Sequence, residues 1–255
     1  MRMRALAALA TLMALATASC GIDEYYTGMG QGALPGDPLY RVPDVYVAGG
    51  CGLAEAPTAP MTAPDLTGAT FRFDSLALTK PLPDSLSAMV NPVIQDQMDT
   101  GIINVLLIVD RDDRNAQEMT FRLGAAEKVD ETYRLTGEPA PTEAKMLDGR
   151  FDFTGVAEVV ISVDLGTEKL LLPVKEVELS AILAPDGTQI GPGLLIGALT
   201  EADAETVVIL GSTLKDFLTG ADPKILPDLD LDEDGVNDAW QFEGCFTATP
   251  VTLAP

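Results

Sequence analysis

The stretch Ala69–Thr79, ATFRFDSLALT, decides how this chain is read. Phe71 and Phe73 alternate with Arg72 and Asp74, and after Asp74 the apolar positions slip by one, to Leu76 and Leu78. A period of two marks a strand that buries one face, and a parity slip within it marks a β-bulge. The same period recurs downstream. INVLLIVD (103–110) is a short apolar run of the kind a buried strand carries, and EMTFRLG (118–124) alternates Met119, Phe121 and Leu123. GRFDFTG (149–155), AEVVISVDLG (157–166) and KEVELSAIL (175–183) follow, the last with Val177, Leu179, Ala181 and Leu183 on one face. Pro185, Asp186 and Gly187 make a turn toward LLIGAL (194–199). Many short strands with turns between them predict a mainly β fold, an antiparallel β-sandwich or barrel-like domain over 66–255.

Two or three short helices interrupt the strands. In 83–101, Asp84 is placed to cap a helix whose stripe is Leu86, Met89, Val90, Val93, Ile94 and Met98, with Gly101 at its end and Pro92 kinking it or starting its second half. In 200–220, Thr200 and Asp203 form a capping box, and Gly211-Ser212 divides two helices.

Composition bounds the function. The 255 residues are 47% hydrophobic, enough for a sizeable core, and carry a formal charge of −23. Such a chain repels nucleic acid, and no nucleic-acid partner is expected. The absence of histidine removes serine–histidine and cysteine–histidine nucleophiles and histidine zinc sites. There is no nucleophile elbow, phosphate-binding loop or dinucleotide fingerprint.

Arg2 and Arg4 precede the apolar ALAALATLMALA, too short for an ordinary membrane span, and TASC (17–20) follows. This segment resembles the signal peptide of bacterial lipoproteins. The resemblance implies a leader of residues 1–19, a mature chain beginning at Cys20 with a diacylglyceryl thioether and an acylated amino group, and, with Gly21 next, an outer-membrane location in the cell envelope. Cut near Ala16-Thr17-Ala18 instead, the segment is an ordinary secretory signal. Loss of Arg2 and Arg4 takes the charge to −23 − 2 = −25. Residues 20–65, with Pro35, Pro38, Pro43, Pro57, Pro60 and Pro64 and many glycines, read as a lipidated tether. In an exported chain the remaining cysteines, Cys51 and Cys245, are candidates for a disulfide, with two separate thiols as the alternative.

DLDEDGVND (230–238) follows the spacing D-x-D-x-D-G-x-x-D. It resembles the calcium loops of EF-hands, dockerins and thrombospondin type 3 repeats. The resemblance implies calcium bound by Asp230, Asp232, Asp234, the Val236 carbonyl and Asp238, with Gln241 at the twelfth position, where an acidic residue is usual. Asp228 and Glu243 are near enough in sequence to substitute for it, and a solvated acidic turn is the alternative. The expectation is a non-catalytic envelope lipoprotein, held to the membrane through Cys20, whose β-rich domain binds a partner or builds structure and is stabilised by calcium. A periplasmic carrier of an apolar or lipid ligand comes second, and a carboxylate-dependent envelope hydrolase third.

Overall fold

The computed structural model describes Cys51, Leu53 and residues 61–254, apart from Pro83, 165–168, Leu210 and 221–223. The expected leader, Cys20 and most of the tether lie outside the described residues.

The chain runs β1 (Thr70–Lys80), α1 (Asp84–Asp99), β2 (Val105–Asp113), β3 (Glu118–Val129), β4 (Thr132–Leu135), β5 (Thr142–Leu147), β6 (Arg150–Asp164), β7 (Lys169–Leu183) and β8 (Ile190–Thr200). It continues with α2 (Glu201–Thr206), β9 (Val208–Ile209), β10 (Ser212–Thr213), α3 (Leu214–Gly220) and β11 (Ala239–Pro250). One nine-stranded antiparallel sheet has the order β2-β1-β11-β8-β7-β6-β5-β3-β4, and an additional β2–β3 pairing closes it into a ring. Apart from β4, which pairs only with β3, and the separate β9–β10 hairpin, strands that follow one another in the chain are neighbours around the ring, so the arrangement is barrel-like with up-and-down connections rather than a sandwich.

The parity slip in β1 is the expected bulge. Phe73 pairs with Ala248 but Ser75 with Thr247, so Asp74 is the extra residue. Its carboxylate accepts a hydrogen bond from the Thr247 hydroxyl, and the Ser75 and Thr247 hydroxyls lie 2.6 Å apart. On either side of the slip Phe71, Phe73, Leu76 and Leu78 all reach the interior.

A second bulge changes the strand count. GRFDFTG and AEVVISVDLG are not two strands but one, β6, with the register slipping between Phe153 and Val156 around Gly155, whose φ is +92°. Glycine alone adopts that conformation without strain, so the backbone bends there and continues instead of turning back.

The inward faces fill the ring. Every phenylalanine except Phe217 is buried, together with Trp240. Phe121 stacks against Phe151 and Phe153, with centroids 4.8 and 5.6 Å away. The helices all lie in connections at one end, where Ile94 and Met98 of α1, Ala204 of α2, and Leu214 and Leu218 of α3 join the same core. Pro92 sits inside α1, which continues through it. Thr200 caps α2 by accepting from the Asp203 amide at 3.0 Å, as expected, and the small β9–β10 hairpin separates α2 from α3. At the opposite end Ala63 and Leu66 enter the core, the Ala63 amide donating to the Pro185 carbonyl at 2.7 Å.

Two apolar clusters lie outside the ring. Cys51 and Leu53 pack on Ile182 and Leu194, and Tyr133 of β4 folds over Leu106, Ile108 and Ala126. Tyr133 also exchanges backbone hydrogen bonds with Thr252 and Ala254, which draws β4 outward over the barrel wall.

Candidate metal centre

The acidic loop is a closed excursion at the entry to β11. Leu229 and Ala239 form an antiparallel bridge, with the Ala239 amide donating to the Leu229 carbonyl at 3.1 Å and the Leu229 amide returning at 3.0 Å. Between them the chain must reverse within nine residues, and Glu233 (φ +60°) and Gly235 (φ +91°) supply the left-handed positions. Nothing lies near the place a Gly235 side chain would occupy, so the glycine is there for its backbone conformation.

The coil brings Asp230, Asp232 and Asp234 together, with one carboxylate oxygen from each within 4.8 Å of the others. Backbone amides orient them. Asp230 accepts from Gly235 at 2.8 Å and from Asp234 at 3.2 Å, Asp232 from Asp234 at 3.3 Å, and Asp234 from Val236 at 2.8 Å. Among the described residues the second oxygens of Asp232 and Asp234 accept no hydrogen bond. Three exposed or half-exposed carboxylates at this separation repel one another, a repulsion that a hard, oxygen-seeking cation would offset.

The remaining expected ligands are placed differently. Asp238 accepts from the Leu231 amide at 3.2 Å, bracing the loop from its far side. Val236 sits at the exposed tip. Gln241 belongs to β11, paired with Ala198, and its side-chain oxygen accepts from Lys80 Nζ at 3.3 Å on the barrel wall. Of the two substitutes, Asp228 accepts from the Gln241 amide at 2.8 Å, and Glu243 is buried against Lys80 at 2.5 Å. The donor set drawn together is therefore the aspartate triad. Trp240 follows immediately, buried, its indole N–H donating to the Ile225 carbonyl at 3.2 Å.

Cys51 and Cys245 are joined in a disulfide across 194 residues, with Cα atoms 5.3 Å apart. The bond lies on the outer face of β11 and fixes Cys51 there.

Among the described residues, two of the clefts that open on the surface bear on function. One, of about 220 Å³, is lined by Glu118, Glu143, Lys145 and Asp152. Lys145 beside Glu118 holds that carboxyl below the usual carboxylate range, the opposite of what a proton-donating acid requires. The other, of about 450 Å³, runs between the distal half of β6 and the ends of α1 and β3. It gave no signal in the sequence, because it arises from which strands fail to pair. Comparison of the chain with protein-family models, with curated proteins and with solved structures finds no match to any of them.

Proposed function

We propose that this protein is an exported envelope lipoprotein whose barrel is a non-catalytic binding or structural module, tethered through Cys20 and stabilised by calcium at the Asp230–Asp234 loop. The observation that carries the metal part is the convergence of three carboxylates within 4.8 Å in a loop closed by the Leu229–Ala239 bridge. A large oxygen-preferring ion fits such an open, flexible donor set better than magnesium, which demands a near-ideal octahedron. The disulfide supports export, since such bonds persist in oxidising compartments. The interior of the ring is occupied by Phe71, Phe73, Phe121, Phe151, Phe153, Trp240, Phe242 and Phe246, which favours recognition at the barrel surface over carriage of an apolar ligand inside it.

Two measurements on the same full-length protein test this reading. Calorimetric titration of chelator-treated protein is expected to show calcium binding with a Kd in the extracellular range, about 10⁻⁴ to 10⁻³ M. No heat up to several millimolar calcium removes the metal from the proposal. Cell fractionation is expected to move the Cys20→Ser variant from the membrane to the soluble fraction, and its retention on membranes at wild-type levels removes the anchor.

A further inference from the structure

The ring is not closed along its whole height. β5 pairs with β6 only from Ala144–Leu147 to Arg150–Phe153, and with β3 only at Glu118–Phe121. Beyond that, β3 pairs with β4 at Ala126–Val129, and β4 is drawn outward by Tyr133. Among the described residues no strand pairs with the β5-facing edge of β6 from Val156 to Asp164. Every second residue of an antiparallel edge strand turns both its N–H and its C=O outward, so this segment presents a row of main-chain groups that no strand among the described residues matches. They face the cleft of about 450 Å³, whose lining includes Val160, Ile161 and Ser162 on one side and Ala125, Ala126 and Thr136 on the other.

We infer that this edge receives an extended, basic segment of a partner protein, which adds to β6 as a strand. Backbone groups in this arrangement are matched by another extended backbone. The edge also lacks the usual protection within its own sequence: VAEVVISVD contains no proline and no lysine and is rich in β-branched residues. Large apolar side chains flank it, Ile102 at 57% exposure on the rim and Leu171 at 50% on β7 opposite Ser162, and they offer contacts to alternate side chains of an added strand. Charge selects the occupant. Exposed Glu158 stands on this edge in a chain of formal charge −23, so a second copy is repelled over long range while lysine or arginine opposite Glu158 is attracted.

The probe is a short synthetic peptide alternating valine and threonine with lysine at both ends, fluorescently labelled and added to the full-length protein. Saturable anisotropy and slowed amide exchange confined to 156–164 are expected. Glu158→Lys is expected to weaken binding at least tenfold, and Glu143→Lys, an equal charge change in the other cleft, to leave it within twofold. Exchange slowed elsewhere, equal weakening by both variants, or no binding at millimolar peptide overturns the proposal. Sedimentation of the protein alone as a dimer, with this edge already protected, overturns it in favour of a second copy.

Discussion

The Phe246 ring lies where a side chain on Gly193 would have to go: a Cβ built on that glycine falls 2.4 Å from Phe246 Cζ. The same ring stacks on Phe73, with centroids 4.1 Å apart and planes 4° from parallel. The contact therefore spans three adjacent strands, β8, β11 and β1. Gly193→Ala is expected to cost about 1–3 kcal/mol by overpacking. Urea unfolding should show a lower midpoint with the slope unchanged, and an unchanged midpoint would show that the aromatic stack moves aside freely.

Mutating both cysteines of the bridge to serine should lower stability by several kcal/mol. The chain-entropy model gives about 5 kcal/mol for a loop of this length, before any native-state strain. Peptide mapping without reductant should recover Cys51 and Cys245 in one cross-linked fragment. Recovery of both as alkylated free thiols rejects the bond.

Chelation of calcium should lower the melting temperature and change Trp240 fluorescence. An ion bound only by the folded protein stabilises it by about 2.7 kcal/mol at a hundredfold excess over Kd. Trp240 reports because it is one residue from the loop's closing bridge and donates to Ile225 on the incoming segment. Replacing Asp232 with Asn and Asp234 with Ala should reproduce the chelated state and abolish its calcium dependence. A melting temperature in this variant that still rises with calcium assigns the effect to another site.

Asp203 gives a pH signature. Burial alone pushes its carboxyl up, but hydrogen bonds from Lys175 at 2.7 Å and from the Thr200 hydroxyl at 2.5 Å outweigh that and hold it below the usual range. A carboxyl depressed in the folded state contributes stability in full above its unfolded pKa, about 3.9, and loses it as pH falls through the lower folded value. Asp203→Asn should therefore destabilise at neutral pH, with the gap from wild type narrowing in acid. A gap of equal size at pH 7 and below pH 3 would assign the loss to helix capping alone.

What the sequence disclosed was local. The slip after Asp74 showed both the strand and its bulge because apolar and polar residues change places together, and Thr200 with Asp203 showed a helix start because cap and partner are three residues apart. That GRFDFTG and AEVVISVDLG belong to one strand was not legible, since a glycine at positive φ looks the same in a turn as in a bulge. The choice between sandwich and barrel was hidden, because alternation reports that a face is buried and not which strand lies beside it. Gln241 stands at the twelfth place of the loop pattern, yet Trp240 and Phe242 turn inward, so the period of β11 sends Gln241 out to Lys80. Loop spacing and strand period competed for one residue, and the strand prevailed.

The seam between β1 and β11 also sets a timetable. Ser75 and Thr247, hydrogen-bonded across it, are separated by 172 positions. A chain made from its N-terminus carries β1 and β8 with a vacant edge each until the final strand emerges, and only then can Phe246 reach Phe73. Assembly dominated by such distant pairings is slow, and its open intermediates are adhesive along those edges. Yield of the folded protein is therefore expected to depend on how long the edges of β1 and β8 stay vacant before β11 joins them, the period in which a strand-shielding chaperone has most to contribute.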